Sequence, residues 1–215
     1  MDPQSKRITH VRIDEHTIWL TLSDGRELAE PIQRHIRVEK ATPAQRLQWV
    51  LTDDDHGLNW PALWPPAPEG MVSVWAMEQD QLYRQAMDAL QSVGWDIRQI
   101  STTQYELVAL WRMEADVNNG GFVQFLGNWG FENYQMALQA LQAIGSTATR
   151  AGLQNMYASV QRLEEAPGDI ALSDLPMLLT EDEHERLQKL EEAFWDYPER
   201  LDKLVVQHYG LRDEV

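Results

Sequence analysis

Apolar positions follow two different periods along this chain. Ile18, Leu20 and Leu22 alternate with Thr17, Trp19 and Thr21, the period-two pattern of a half-buried strand. Residues 8–13 read as a partner strand, joined through the short connector Asp14-Glu15-His16. Ser23-Asp24-Gly25 is a hairpin turn leading into a third strand over 26–30, which Pro31 is expected to end. Thr42, Pro43 and Gln45 supply a cap, a first-turn proline and a capping-box partner, so a short helix is predicted over 43–51. Residues 53–57 read as a loop and 58–60 as extended chain. The proline-rich 64–70 reads as irregular, and 71–75 as a last edge strand.

From about residue 77 the period becomes 3.6. Tyr83, Ala86, Met87 and Leu90 form one stripe, ended by Gly94. Thr103-x-x-Glu106 reads as the capping box of the next helix. Tyr134, Ala137, Leu138, Leu141 and Ile144 form another stripe, closed by Gly145. Leu153, Met156, Tyr157, Val160 and Leu163 follow, stopped by Pro167-Gly168. Thr180-x-x-Glu183 caps a helix bearing Leu187, Leu190, Phe194 and Trp195, and Pro198 is expected to start a last one with Leu201, Leu204, Val205 and Tyr209. The prediction is α+β overall: a small β-hairpin-rich module over 1–75, then a mostly α-helical bundle over 76–215.

Between two of these stripes lies a segment of different character. Tyr105, Val108, Trp111 and Ala115 lead with helical spacing into Glu114, Asp116, Asn118, Asn119, Gly120 and Gly121, and Phe122, Phe125, Trp129 and Phe131 follow. Asn-Asn-Gly-Gly tolerates positive φ, so the helix is expected to stop and the chain to turn sharply there. Gln124 and Asn128, four apart, share a face if the return is helical. By spacing, Trp111, Trp129 and Trp195 are expected in the core, and Trp60, Trp64 and Trp75 at the join of the two domains.

The residues Glu114, Val117, Asn118, Asn119, Gly120, Gly121, Phe122, Gln124, Phe125 and Asn128 resemble the E-x-x-V-N-N-G-G-F-x-Q-F-type mark of a family of small acidic bacterial proteins described as double-stranded-DNA mimics. The resemblance extends over about 105–209, taking in Ala140 to Gly145 and the segment of Phe194, Leu201 and Tyr209. It implies a helical domain that binds a DNA-binding protein. The first module is similar to a small uncharacterised bacterial domain through Asp24-Gly25, Ala41-Thr42, Arg46 and Gly57-Leu58-Asn59-Trp60. No activity is attached to that family.

Charge adds a direction. The chain carries 34 Asp+Glu against 18 Lys+Arg, a net −16. Residues 1–75 hold 11 acids and 8 bases, a net −3; residues 76–215 hold 23 and 10, a net −13; of that, 164–215 holds 15 and 5, a net −10. Such a field repels nucleic acid and anionic membranes and favours a basic partner. Glu181, Asp182, Glu185, Glu192, Asp196, Glu199 and Asp202 are the candidate partner-binding residues. Most recur at spacings of three, four or seven, and helical neighbours so spaced lie about 5–6 Å apart.

Candidate chemistry changes little. Asp116-x-Asn118-x-Gly120 begins like a calcium loop, but the twelfth position, where a bidentate Glu is needed, is Gly127. The six histidines have no metal-binding spacing, there is no cysteine, and neither a nucleophile elbow nor a phosphate loop is present. No catalytic residue, metal or cofactor is therefore assigned. Glu114, Asn118, Asn119, Gly120, Gly121, Phe122 and Gln124 are expected to be architectural. The chain has no apolar run of membrane-spanning length and no signal-peptide core, and a cytosolic protein is expected. Together these features predict an acidic module that occupies the DNA site of a basic DNA-binding protein, itself touching neither nucleic acid nor membrane; a homodimer is compatible with this. Two alternatives stand: an enzyme with a site near Glu114 and Asn118/Asn119, and an immunity or scaffold protein whose charge serves solubility.

Overall fold

The computed structural model describes residues 6–163 and 174–210. The chain divides into two compact units, Met1–Asp80 and Gln81–Val215. The first holds antiparallel sheets with short helices and the second is largely helical, α+β overall as the two periods predict.

In the first unit β1 (Ile8–Ile13), β2 (Thr17–Leu22) and β3 (Glu27–Pro31) form an antiparallel meander in sequence order. Ile13 pairs with Ile18 and Trp19 with Ala29. In the central strand Ile18, Leu20 and Leu22 are buried and the residues between them half-buried, so the alternation in the sequence is the pleat itself. A second antiparallel sheet takes β4 (Val50–Thr52), β5 (Gly57–Asn59) and β6 (Val72–Ser73) in sequence order.

Two expectations for this unit are corrected. The helix predicted over 43–51 is a single turn: α1 is Ile36–Glu39 and α2 is Pro43–Arg46. The capping box of Thr42 and Gln45 forms as read. The turn ends because Arg46 is tied from both directions: its guanidinium donates to the carbonyls of Val38 and Glu39, and its own carbonyl accepts Trp60 Nε1 at 2.9 Å. The chain then pairs with β5 instead of coiling further. The edge strand expected over 71–75 is only Val72–Ser73, and α3 (Val74–Ser92) begins at once. The three tryptophans expected at the domain join find partners inside this unit. Trp60 is in its core, Trp75 stacks on His56 at 4.8 Å, and the Arg37 guanidinium lies over Trp64 at 3.7 Å.

In the second unit Ala86 and Leu90 of α3 pack with α4 (Thr102–Ala143), α5 (Thr147–Val160), α6 (Leu175–Leu178), α7 (Glu181–Trp195) and α8 (Leu201–Tyr209). The cap of α4 is Ser101 with Gln104, two residues before the expected Thr103 and Glu106. That leaves Glu106 buried, where it accepts Tyr209 Oη and Gln139 Nε2, both at 3.1 Å. Gly145 closes α4 with φ +78, and Thr180 with Glu183 caps α7 as read. The last helix starts at Leu201 and not at Pro198, after Tyr197 takes a left-handed φ of +47. The stop expected at Pro167-Gly168 lies outside the described residues. Trp111, Trp129 and Trp195 are not core: they are 37, 36 and 41 % exposed. Their spacing aligns them with the apolar stripe, but Val108, Met113, Val117, Phe122 and Phe125 fill the interior. Among the described residues no helix is long and apolar enough to cross a membrane.

Candidate functional site

Helix α4 departs from helical geometry at three glycines: Gly120 (φ −149, ψ 15), Gly121 (φ 83, ψ −179) and Gly130 (φ 71, ψ −177). The last two conformations are ones that side chains with a Cβ avoid. These breaks turn the helix back on itself. Glu106 meets Gln139, Arg112 Nη1 donates to Asn133 Oδ1 at 2.9 Å, and Trp129 Nε1 donates to Asp116 Oδ2 at 2.6 Å. As the first position rises along the chain its partner falls by the same number of residues, the register of an antiparallel pair. Segment 102–119 is one arm, 131–143 the other, and 122–129 the short cross-piece.

Asp116 holds the cross-piece in place. Its Oδ1 accepts Gln124 Nε2 at 2.9 Å, and its Oδ2 accepts Asn128 Nδ2 at 3.1 Å as well as Trp129. The shared face predicted for Gln124 and Asn128 is thus turned toward a single carboxylate, and the Arg112 guanidinium lies over the Trp129 ring at 3.8 Å. Glu114 accepts Tyr83 Oη at 2.6 Å, and Asn118 accepts Tyr197 Oη at 3.3 Å. Asn119 is exposed and Phe122 fully buried.

The N-terminus of the cross-piece is closed by a residue whose sequence context had not singled it out. Glu191 of α7 accepts the Phe122 N–H through Oε1 at 2.7 Å. A Cβ on Gly121 would collide with that carboxylate, so the glycine is required by approach as well as by φ. Burial pushes the Glu191 carboxyl above its ordinary range, and the Phe122 N–H offsets this only in part. The signal was present: Glu191 falls between Leu187, Leu190 and Phe194 on the apolar stripe. An acid there needs a partner.

The acidic candidates separate. At about 100° per residue, Glu181, Asp182, Glu185, Glu192 and Asp196 fall within roughly 100° of one another, on the side of α7 opposite Leu187 and Phe194, and all five are exposed. Lys189 shares that arc and Arg186 borders it. The other two candidates differ. Asp202 is gripped by the Arg200 guanidinium (2.9 and 2.8 Å) and by the Lys203 N–H. Glu199 is not on the ridge: it caps α5, accepting Ser146 Oγ and the N–H groups of Thr147, Ala148 and Thr149. Burial opposes ionisation at Glu199, yet those donors outweigh it and hold the carboxyl at about 2. Glu183, in the same helix as the ridge, is likewise engaged, paired with Arg162 at 2.5 and 2.7 Å.

Beside the ridge, α6, α7 and the cross-piece enclose a cleft of about 610 Å³. Val123, Leu179 and Leu187 give it an apolar floor; Gln124, Asn128, His184, Gln188 and Glu191 line it with polar groups. Among the described residues no group of three or more His, Asp and Glu is placed to hold a metal ion.

Two family models match separate parts of the chain. A family model described as DMP19-like protein matches residues 98–213, more than half the chain. A second, described as a protein of unknown function (DUF2442), matches residues 8–63. No match was found among curated proteins or among solved structures.

Proposed function

The chain belongs to the DMP19-like family, a family of DNA mimics, and we propose that the exposed carboxylates of α7 are the surface that takes the place of phosphates. The observation that supports this is the common outward face of Glu181, Asp182, Glu185, Glu192 and Asp196. With a rise of about 1.5 Å per residue, these five charges extend over roughly 22 Å. The axial steps between them are about 1.5, 4.5, 10.5 and 6 Å, against a phosphate about every 3.4 Å along one DNA strand. Lys189 interrupts the row in its widest step, and Arg186 borders it, so the field is diluted there. The partner is a basic, DNA-binding protein, and occupation of its DNA site relieves whatever that protein does on DNA. The protein acts by binding and not by catalysis. Glu199 and Asp202 belong to the scaffold and take no part.

Like charges three or four apart on a helix cost roughly 0.2–0.5 kcal/mol per pair, so folding alone does not favour the row. The test replaces Glu181, Glu185 and Glu192 by Gln, and Asp182 and Asp196 by Asn, in the full chain. The binding partner is isolated from the native host on wild-type protein with a salt gradient. Isotherms are then measured at two salt concentrations with duplex DNA as competitor. Wild-type affinity should fall with salt, DNA should compete, and the variant should bind at least about tenfold more weakly with a flatter salt response. Equal affinities, or a ternary complex with DNA, would overturn the proposal.

A further inference from the structure

The cleft beside the ridge has a one-sided hydrogen-bonding character. Gln124 and Asn128 spend their NH₂ groups on the Asp116 carboxylate, which leaves their carbonyl oxygens out of that contact, and Gln124 Oε1 lies against cleft-lining Gly120. Gln188 likewise turns its NH₂ toward Glu192. His184 Nδ1 is 3.1 Å from the Thr180 carbonyl. A carbonyl only accepts, so Nδ1 carries a proton. Glu191 spends Oε1 on the Phe122 N–H, and no hydrogen bond to its Oε2 is made among the described residues. Gln124, Asn128, Gln188 and Glu191 therefore line the cleft while keeping acceptor oxygens that the bonds above do not use.

Among the described residues no cation pairs with the Glu191 carboxylate that lines the cleft. Glu191 is half-buried, and desolvation penalises its charged form. The two cations of its own helix point elsewhere: at about 100° per residue, Arg186 and Lys189 lie roughly 140° and 160° around α7 from Glu191. Arg162, nearer the other end of the helix, is committed to Glu183. This lining, apolar at Val123, Leu179 and Leu187 and polar around Glu191, suits a donor-rich cation with an apolar stem.

We propose that this cleft receives an arginine side chain of the basic partner: its guanidinium meets Glu191 and the acceptors of Gln124, Asn128 and Gln188, and its methylenes lie on Val123, Leu179 and Leu187. Guanidinium carries five donors, no acceptor and a permanent charge, which suits a carboxylate set among amide oxygens. An ammonium has three donors and a tighter hydration shell, and fits the same setting less well. The assignment rests on the mimic reading for the identity of the occupant. It adds a point of insertion to a face that otherwise attracts by charge alone.

The probe is acetyl-Gly-Arg-Gly-amide, compared with its lysine and citrulline analogues. Each is titrated into the full chain by calorimetry and by the side-chain amide resonances of Gln124 and Asn128. The arginine peptide should bind saturably, the lysine peptide several-fold more weakly, and neutral citrulline at least about tenfold more weakly. Glu191→Gln keeps an acceptor for the Phe122 N–H and loses the charge; Gln188→Lys puts a competing cation at an exposed position that folding does not depend on. Both should weaken the arginine peptide about tenfold, and Glu191→Gln should weaken the isolated partner too, with melting curves near wild type. Citrulline binding as tightly as arginine, or arginine binding that neither variant changes, would overturn the cleft assignment. So would partner affinity that is indifferent to Glu191→Gln. The ridge variant separates the two proposals. If it loses the partner while the arginine peptide never binds wild type, only the cleft falls. If it keeps the partner while the peptide behaves as expected, mimicry by the ridge falls and the cleft stands.

Discussion

Glu199 and Glu192 look alike in the sequence and do opposite things in the fold. Glu192 is exposed on α7, while both oxygens of Glu199 are filled by donors from residues 146–149. Glu199→Gln should therefore destabilise the protein at neutral pH by about 1–3 kcal/mol, the range for losing charge-assisted hydrogen bonds. The pH dependence has a definite sign. The folded-state carboxyl is held at about 2, below its ordinary 4.5. Its contribution is complete above the unfolded value and is lost as pH falls from about 4.5 through about 2. Urea unfolding at neutral and at acid pH should show the gap between wild type and variant closing on acidification; a gap unchanged by pH would show that the cap is not what was lost. The two glycines of the motif also differ. Gly121 combines φ +83 with a carboxylate where a Cβ would go, so Gly121→Ala should cost about 1–3 kcal/mol or more. Gly120 has negative φ, and its added Cβ collides chiefly with the movable end of Gln124, with Gln124 Cβ a tight 3.3 Å away; Gly120→Ala should cost less. Equal melting points for the two variants would show that φ is not the constraint.

Among the elements, the cross-piece of α4 carries the greatest consequence. It buries Phe122 and Phe125, each contributing roughly 1.5–3 kcal/mol by area, and it forms one wall of the cleft. What fixes it against the first arm is Asp116, through three side-chain donors. Asp116→Ala should destabilise by about 2–3 kcal/mol, since hydrogen bonds to a charged group are worth roughly 1.5–3 and two amides regain water. Denaturant unfolding checks the magnitude. A variant as stable as wild type would mean that aromatic packing alone holds the hairpin. The turn at Asn118-Asn119-Gly120-Gly121 was legible because left-handed backbone has few tolerant residues. The hub was not. Asp116 reads equally as a ligand, a cap or a solvated acid until Gln124, Asn128 and Trp129 are brought to it from eight or more residues away.

For the whole molecule the net charge of −16 sets a background of self-repulsion, which salt screens over roughly a Debye length of 10 Å at 0.1 M. The ridge concentrates that repulsion on one helix face. Neutralising its five carboxylates should leave thermal stability level or slightly raised at low salt, and should reduce the gain in stability that wild type shows as salt is added. A marked loss of stability would show that the ridge is structural, like Glu199, and would remove the reason for assigning it to a partner.

Local chemistry determined what the sequence determined. Period two against period 3.6 separated sheet from bundle, because side-chain direction follows backbone geometry alone. The Thr42 and Thr180 caps and the Gly145 stop needed only their own neighbours. Tertiary structure decided the rest, wherever two local readings were equally satisfied. Val50–Thr52 pair with β5 because Arg46 and Trp60 end the helix turn before them. Trp111, Trp129 and Trp195 lie outside a core already filled. Above all, the uses of the acids depend on which donors arrive. Glu191 meets the Phe122 N–H, Glu199 meets the start of α5, and the five carboxylates of the α7 ridge are left facing solvent. Charge is written in the sequence, but whether a carboxylate is spent inside the fold or presented outside it depends on distances that no spacing encodes.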